Sequence, residues 1–212
     1  MSERPEMILY GVELSGHTHR VVLLLEMLGL SYRLIPAPAQ LRQSPEFLRL
    51  NPLGQIPVLL DGSVVVPDSN AILVYLARRY GADTQWLPTD AVAASRVQRW
   101  LSIAAGEIRY GPATARAKVL WNAPGDRDGA IEIGGRLLRF MEAHLGEQAQ
   151  VSDRVFIAAE HPTIADLSCY PYVAHAPEGG ISLAPYPLVR AWLSRVEQLP
   201  GFKPMPASPV AI

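Results

Sequence analysis

Two neighbouring residues, Asp68 and Ser69, have the chemistry to recognise a zwitterion. They follow the proline that ends a predicted strand and precede residues at helical spacing, so they stand at a helix N-terminus. The free N–H groups and positive dipole end of a helix favour a carboxylate, while the Asp68 carboxylate suits an amine. A site that offers partners to both groups suits an α-amino acid. The alternative is an ordinary capping pair without a ligand.

A second feature is the Ile56-Pro57 bond at the start of another predicted strand. Proline is tolerated there because the first position of a strand need not donate to the sheet. A cis bond would turn the backbone of Ile56 outward and offer its N–H and C=O to an extended peptide. Most X–Pro bonds are trans, and this is the alternative.

These two features resemble the glutathione-binding half of the cytosolic glutathione S-transferases. The matching residues are Asn51 to Pro57 (NPLGQIP), followed by Asp68-Ser69. In that family the proline is cis, the backbone before it pairs with the cysteinyl part of glutathione, and the acidic residue and serine hold the γ-glutamyl group. The resemblance implies that Gln55, Ile56, Asp68 and Ser69 bind glutathione. Many members have Glu at the position of Asp68, which is the shorter carboxylate.

Activation of a thiol is the chemistry that this resemblance implies. A free thiol has a pKa of about 8.5, so only a few per cent is thiolate at neutral pH. A hydrogen-bond donor and a helix N-terminus both favour ionisation. The protein needs such a donor just before its first helix, where residues 15–20 (SGHTHR) lie.

Ser15 is the first candidate for this donor. The segment SGHTHRVV resembles the Ser-Thr-x-x-Arg-Arg-Val pattern of serine-type plant and bacterial transferases, and Ser15 occupies the position of their catalytic serine. Its alternative role is to cap the helix. His17 is the second candidate, with a solvated position as its alternative, and backbone N–H groups are the third. His19 is expected on the helix surface.

The resemblance also implies contacts at the far end of glutathione. Arg42 and Gln43 align with basic residues that the family uses on the glycine carboxylate, and surface positions are the alternative. Tyr10 is expected to pack in the core from within the first strand. Cys169 is expected to be buried rather than nucleophilic. No spacing of His, Cys, Asp and Glu suggests a metal site, so no metal is expected.

A pocket for the second substrate is expected between the two halves of the chain. A helix that Gly111-Pro112 kinks or breaks would line it, because Pro112 cannot donate to a preceding carbonyl. Arg109, Tyr110 and Ala113 have suitable spacing to contact the substrate. Arg116 shares this spacing, but a salt-bridged position on the helix is favoured for it.

The elements that position these residues differ between the two halves. The first half alternates strands and helices, which fits a thioredoxin-like α/β domain with a crossover helix between its first two strands. It has no Cys-x-x-Cys, so thioredoxin's own dithiol chemistry is excluded. Strands are predicted at 7–12, 31–35, 56–60 and 64–66, with a hairpin turn at 61–62; helices are predicted at 20–29 and 72–80, and a helical turn at 45–48.

The second half lacks strand signals and is predicted to be all-α. Residues 81–89 are polar, contain Gly and Pro, and are predicted to link a glutathione-binding domain at 1–81 to a helical domain at 90–212. Residues 162–166 (PTIAD) resemble the helix-capping motif of the transferases' C-terminal domain. Helices are predicted at 91–120, 131–145, from 163 onward and at 187–199, before an irregular tail from 204.

Composition limits the partners. The 212 residues are 49% hydrophobic and 18% charged, as in ordered globular proteins. The net charge is −1 without runs of like charge, so neither nucleic acid nor an anionic membrane is an expected partner. No apolar stretch has the length of a membrane span, and no secretory signal is recognised. A single cysteine fits a reducing cytosol, where glutathione is abundant.

The resemblance therefore predicts a cytoplasmic glutathione transferase that conjugates glutathione to small hydrophobic electrophiles, the detoxification chemistry of its family. Glutathione-dependent reduction (of peroxides included), isomerisation and dehalogenation on the same fold are alternatives. A non-catalytic carrier or regulatory protein is an alternative of another class, since fold alone does not decide function. The family also implies a homodimer that packs the first domain of one chain against the second domain of the other.

Overall fold

A four-stranded sheet forms the scaffold of the first half. In the computed structural model, which describes residues 6–82, 85–151 and 155–210, its strands lie in the order β2-β1-β3-β4. β1 and β2 run parallel, whereas β3 is antiparallel to both of its neighbours. The strands are β1 (Met7–Gly11), β2 (Tyr32–Pro36), β3 (Val58–Asp61) and β4 (Val64–Pro67).

The helices of this half surround the sheet as predicted, with different bounds. The crossover helix begins four residues before its predicted start, because the polar residues after Ser15 are already helical. The helical turn predicted at 45–48 is a short helix (Pro45–Leu50), and a second short helix (Ala39–Arg42), which was not predicted, precedes it. The helices are α1 (Gly16–Met27), α2 (Ala39–Arg42), α3 (Pro45–Leu50) and α4 (Ser69–Tyr80).

Local signals set the ends of the hairpin and of α4. Gly62 adopts φ +60° in the turn between β3 and β4, where a residue without a Cβ is favoured. The side chain of Asp68 caps α4, and Gly81 ends it, as predicted. The Ile56-Pro57 bond is cis, also as predicted. The thioredoxin-like α/β class of the first half is thereby confirmed.

The second half is helical over the residues that the structure describes. The predicted break at Gly111-Pro112 is present, but a π-helical segment (Ala104–Ile108) that the sequence did not indicate precedes it. Val97, Leu101, Ala104 and Ile108, which stand at helical spacing in this region, are buried. The helices are α5 (Ala91–Ile103), α6 (Pro112–Trp121), α7 (Arg127–Val151), α8 (Ile164–Ala174) and α9 (Pro187–Glu197), with a 3₁₀ turn (Ala176–Gly179) after α8.

Some predicted positions lie outside the described residues. These are residues 83–84 of the predicted linker, and residues 1–5, 152–154 and 211–212 of the two predicted domains. Over the residues that are described, no helix is both long enough and apolar enough to cross a membrane.

The predicted capping motif opens α8 as a complete capping box. Thr163 accepts from the first turn, and the Asp166 side chain accepts from the Thr163 N–H at 2.9 Å. Asp166 also accepts from the Trp192 ring N–H at 2.9 Å, which connects α8 to α9. Burial raises the pKa of Asp166, and these hydrogen bonds oppose that shift.

The two halves share one apolar core. It runs from one face of the sheet through α1 and α4 into the packed interior of α5, α7 and α8. Gly134 lets α7 lie close to Ile181, because a Cβ at this position would lie 2.5 Å from Ile181 Cδ1. A smaller cluster covers the other face of the sheet, and Tyr10 packs edge-on against Phe47 there, as expected of a core residue.

The expectation that His19 lies on the surface is wrong. Its side chain is 4% exposed because the segment after α9 folds back over α1. His19 Nε2 lies 2.8 Å from the carbonyl oxygen of Lys203, while Nδ1 has no hydrogen-bond partner among the described residues. Burial lowers the pKa of His19 to about 4.

This lowered pKa predicts a loss of stability in mild acid. Unfolding restores the usual pKa of 6.5, so the unfolded chain binds more protons than the folded chain between that value and about 4. From about pH 7.5 to about pH 5, His19 should therefore remove about 2 kcal/mol from the free energy of unfolding. Urea titrations of the wild type and His19→Gln would measure this. An equal loss in both proteins would contradict the prediction.

Candidate active site

Ser15 ends the loop between β1 and α1 and caps the helix. Its Oγ accepts a hydrogen bond from the Thr18 N–H at 3.4 Å, and its own N–H donates to the Val12 carbonyl at 2.9 Å. Capping uses a lone pair of the hydroxyl oxygen, so the hydroxyl hydrogen can still donate to another acceptor. Capping and stabilisation of a thiolate are therefore compatible roles for Ser15.

Asp68 and Ser69 form the N-terminus of α4, and they differ in exposure. Asp68 is exposed, and its Oδ1 accepts from the N–H groups of Asn70 and Ala71 at 2.8 and 3.1 Å. Its backbone has φ +74°, which is uncommon for a residue other than glycine, and such conformations cluster at functional sites. Ser69 is buried beside it. The exposed carboxylate and the buried hydroxyl thus lie side by side.

The first turns of α1 and α4 meet. His17 Nδ1 lies 3.5 Å from Ser69 Oγ, and Arg20 Nη1 donates to the same oxygen at 3.2 Å. Arg20 Nη1 also donates to Asn70 Oδ1 at 3.0 Å. Residues that are about fifty positions apart in sequence therefore form one polar cluster. Two helix N-termini, each with its positive dipole end, lie at this cluster.

Arg20 gives the cluster a positive charge. Its side chain is 1% exposed, and Nε and Nη2 have no hydrogen-bond partner among the described residues. No described carboxylate lies within ion-pair distance of it. The guanidinium lies 5.9 Å from the ring centre of Tyr172. Burial lowers the pKa of Arg20, but a guanidinium stays protonated, so the charge suits an anion bound nearby.

His17 is a neutral member of the cluster. Burial lowers its pKa well below 6.5, and the charges of Arg20 and Arg109 lower it further. The ring packs edge-on against Tyr172, with 4.9 Å between the ring centres. His17 is half-buried rather than solvated. At neutral pH it can donate one hydrogen bond but carries no charge.

Gln55 and Ile56 lie in the loop before β3, and the conformation of this loop is held by Asn51 and Gly54. The buried Asn51 donates through Nδ2 to the Gln55 carbonyl at 2.9 Å, and its Oδ1 accepts from the Leu53 N–H at 3.1 Å. Gly54 adopts φ +62°, and a Cβ there would lie 3.1 Å from the carbonyl oxygen of Arg42. Asn51 and Gly54 therefore explain why the NPLG residues precede the cis bond.

The other predicted contacts are distributed around this loop and the break before α6. Arg42 is half-buried at the end of α2, with Nε buried and unpartnered among the described residues, and Gln43 is exposed beside it. Arg109 and Tyr110 are exposed, and Arg109 Nη1 donates to Thr114 Oγ1 at 3.1 Å. Ala113 is buried in the core. Their roles in binding remain predictions.

Two residues of the helical half differ from what the sequence indicated. Arg116 does form the expected salt bridge, with Glu178 at 2.7 Å, but inside the protein rather than on an exposed helix face. Tyr172 was missed, although it packs against both His17 and Arg20. Its position in an apolar helix gave no functional signal.

Among the described residues, neither a second nucleophile at Cys169 nor a metal site is indicated. Cys169 is buried, as expected, and burial raises the pKa of its thiol, so it is a poor nucleophile. Within the described residues, no three His, Cys, Asp or Glu side chains are grouped so that they could hold a metal ion.

Comparison with known proteins agrees with this geometry. The family model "Glutathione S-transferase, N-terminal domain" matches residues 14–79, and "Glutathione S-transferase, C-terminal domain" matches residues 128–200. Glutathione S-transferase 3 of Zea mays is 31% identical over 95% of this chain and 96% of its own.

Solved structures show the same relationship. A glutathione S-transferase from Xanthobacter autotrophicus superposes with a TM-score of 0.84 at 31% identity, covering 95% of this chain and 97% of its own. A glutathione transferase homologue from Drosophila mojavensis, solved with bound glutathione, has a TM-score of 0.78 at 29% identity over 92% of this chain and 89% of its own. The chain belongs to the glutathione S-transferase family.

Proposed function

We propose that this protein catalyses the attack of the glutathione thiolate on a small hydrophobic electrophile. The observation that carries the proposal is the meeting of two helix N-termini, one capped by Ser15 and the other by Asp68, at a buried positive charge. A thiolate and an amino-acid carboxylate are both anions that such an arrangement stabilises.

The γ-glutamyl end of glutathione is proposed to bind at α4. Its carboxylate would accept from Ser69 at the first turn, with the Arg20 charge behind it. Its ammonium group would pair with the exposed carboxylate of Asp68. This is the end of glutathione that carries both charges of an α-amino acid, and the cluster offers a partner to each of them.

The rest of the tripeptide is proposed to extend towards α2. The backbone of Ile56 and the side chain of Gln55 would hold the cysteinyl part, and Arg42 and Gln43 the glycine carboxylate. The buried, unpartnered Nε of Arg42 supports an anionic partner there. The Drosophila mojavensis homologue, which has glutathione bound, supports glutathione as the co-substrate.

Catalysis is proposed to rest on a hydrogen bond from Ser15 to the thiolate. Its hydroxyl hydrogen remains available after capping, and the N-terminus of α1 adds a favourable dipole. This assignment makes the protein a serine-type transferase. His17 is the second candidate donor, as a neutral imidazole, and backbone N–H groups of the first turn are the third. Positioning of the thiol beside the electrophile supplies a further part of the rate.

The electrophile is proposed to bind near the break between the π-helical segment and α6. Arg109 and Tyr110 are exposed there, and the charge of Arg109 contributes to the lowered pKa of His17. Ala113 follows on α6. The reaction is proposed to take place in the cytosol, where thiols stay reduced and glutathione is abundant.

Assays with glutathione test the reaction directly. Conjugation of chlorinated aromatic and unsaturated electrophiles should exceed activity towards hydroperoxides and disulfides. The relatives named as glutathione S-transferases favour conjugation over reduction, isomerisation, dehalogenation or a carrier role. Turnover of hydroperoxides or disulfides without any conjugation would favour reduction. Binding of glutathione without turnover of any compound would favour the carrier.

Removal of the Asp68 carboxylate should weaken glutathione binding. Asp68→Asn keeps a side chain that caps helices and tolerates positive φ but removes the charge, whereas Asp68→Ala removes both. Loss of the ammonium contact should cost about 1–3 kcal/mol of binding free energy in both variants. Only Asp68→Ala should also lose stability. Calorimetry that finds wild-type affinity in Asp68→Asn would refute the ammonium contact.

Loss of the Ser15 hydroxyl should lower kcat more than it raises KM for glutathione. The hydroxyl stabilises the thiolate rather than the whole tripeptide. A rise of one unit in the pKa of the bound thiol would lower the rate by about tenfold at pH values below that pKa. Ser15→Thr keeps the hydroxyl and serves as the control for Ser15→Ala. Equal rates of Ser15→Ala and the wild type from about pH 6 to about pH 9 would transfer the role to His17 or backbone N–H groups.

A homodimer is proposed as the form in solution. β4 is one of the two edge strands of the described sheet, and Val64 and Val65 on it are each 42% exposed. Leu53, in the loop before β3, is 76% exposed. Exposed apolar side chains at a sheet edge are typical of an interface. In a C2 dimer this surface would contact the helical half of the second chain.

Light scattering tests the dimer. At low micromolar concentration the particle should have twice the chain mass of 23.2 kDa, because the family's cross-domain contact is extensive. Val65→Lys should shift the mass towards one chain, since it introduces a charge at the proposed contact. A wild type of single-chain mass would refute the dimer.

A further inference from the structure

Arg116 of the helical half reaches the loop that carries Ser15. It lies on α6, is fully buried, and its Nη1 donates to the carbonyl oxygen of Leu14 at 2.6 Å. Leu14 directly precedes Ser15. A side chain of the second half therefore contacts the backbone beside the proposed thiolate donor.

The contact fixes one particular peptide plane. The Leu14 carbonyl and the Ser15 N–H belong to the same planar peptide unit. The N–H side of this unit donates to the Val12 carbonyl at 2.9 Å, and Arg116 holds the carbonyl side. With both sides held, the orientation of the plane is determined. That orientation sets the position of the Ser15 Cα, and φ −82° at Ser15 then sets the direction of its Cβ.

Arg116 is itself held on three sides. Nε donates to Glu178 Oε2 at 2.7 Å, Nη1 binds Leu14, and Nη2 lies 3.3 Å from Met205 Sδ. The three nitrogens of a planar guanidinium point in fixed directions and can make these three contacts together, whereas a lysine ammonium cannot. Gly179 allows the close approach, because a Cβ there would lie 2.8 Å from the Arg116 backbone nitrogen.

The charge of Arg116 is already balanced. Glu178 is buried with it, and the pair is neutral as a unit. Any influence of Arg116 on a thiolate at Ser15 should therefore be transmitted by the position of the loop rather than by an unpaired charge. This separates Arg116 from Arg20, which has no described carboxylate partner.

We infer that Arg116, held by Glu178, is a positioning residue for Ser15, so that the helical domain sets how strongly the thiolate is stabilised in the first domain. This inference rests on the proposed role of Ser15. Beyond that role, the inference says that Arg116 aligns the Ser15 hydroxyl through the Leu14 carbonyl. Arg116 itself is not proposed to touch glutathione or the electrophile.

The test compares Arg116→Lys with Arg195→Lys. Arg116→Lys keeps the charge but cannot make the contacts to Glu178, Leu14 and Met205 in the same fixed geometry. Arg195 also donates from Nη1 to a backbone carbonyl, that of Val155 at 3.0 Å, but it lies on α9. The readouts are the pKa of the bound glutathione thiol, from the ultraviolet absorbance of the thiolate against pH, together with kcat, KM and Tm.

Arg116→Lys should raise the pKa of the bound thiol by about one unit and lower kcat by about tenfold at pH values below that pKa, with the difference vanishing at high pH. KM for glutathione should change little. Arg195→Lys should match the wild type in all these readouts except Tm. A folded Arg116→Lys protein with an unchanged thiol pKa would overturn the inference.

The double variant Arg116→Lys with Ser15→Ala tests whether Arg116 acts through Ser15. If Arg116 acts through Ser15, Arg116→Lys should shift the thiol pKa no further once the hydroxyl is absent. A full further shift in that background would overturn the inference while leaving the role of Ser15 intact. If Ser15→Ala alone leaves the thiol pKa unchanged, the proposed function of Ser15 fails, and the inference fails with it.

Glu178→Gln provides the test if Arg116→Lys does not fold. It keeps the size of the side chain but removes the balancing charge, so the guanidinium loses its strongest anchor. The thiol pKa should rise in the same direction as for Arg116→Lys. A lowered Tm with an unchanged thiol pKa would show that the ion pair only stabilises the fold, and would overturn the inference.

Discussion

Burial of α1 on nearly every side is the constraint on which the site depends. One side of the helix packs on the sheet and another on α8, and residues 21–25 form the centre of this contact. Gly16 brings the first turn against α8, since a Cβ there would lie 2.7 Å from the Tyr172 ring. A helix packed in this way cannot rotate without exposing apolar surface or overlapping its neighbours. Its first turn is therefore fixed relative to α4.

This constraint has an electrostatic consequence. His17, His19 and Arg20 are all drawn into the interior with the helix, although each prefers water. Burial makes both histidines neutral at physiological pH and leaves Arg20 charged beside Ser69. An interior cation without a described carboxylate partner is unfavourable for folding but favourable for binding an anion. Burial of this charge therefore lowers the stability of the fold and raises its affinity for an anion at the place where the two halves meet.

The parts of the fold that could be predicted are those with signals close together in sequence. The Asp61-Gly62 turn, the Asp68 cap and the Thr163-Asp166 box each depend on residues at most four positions apart. The NPLGQIP motif likewise indicated the cis bond and its supporting loop.

Features formed between distant residues could not be predicted in the same way. Burial of His19 depends on Lys203, and the role of Arg20 depends on Ser69, which is 49 positions away. The π-helical segment had no pattern of its own, because its apolar residues also fit an ordinary helix. For the site, the sequence indicated the loops and, by resemblance, their expected ligand, whereas the charge and protonation of the cluster required the packed structure.

The segment after α9 also bears on how the chain folds as it is synthesised. Lys203 covers His19, and Met205 contacts Arg116, so residues made after α9 complete the surroundings of the first helix. Until α8 has been made, the side of α1 that faces it is apolar and uncovered. Nascent chains with such surfaces are prone to aggregation and are substrates for chaperones. The strands of the sheet precede these residues in the chain, so the native surroundings of α1 are complete only after the segment that follows α9 has been synthesised.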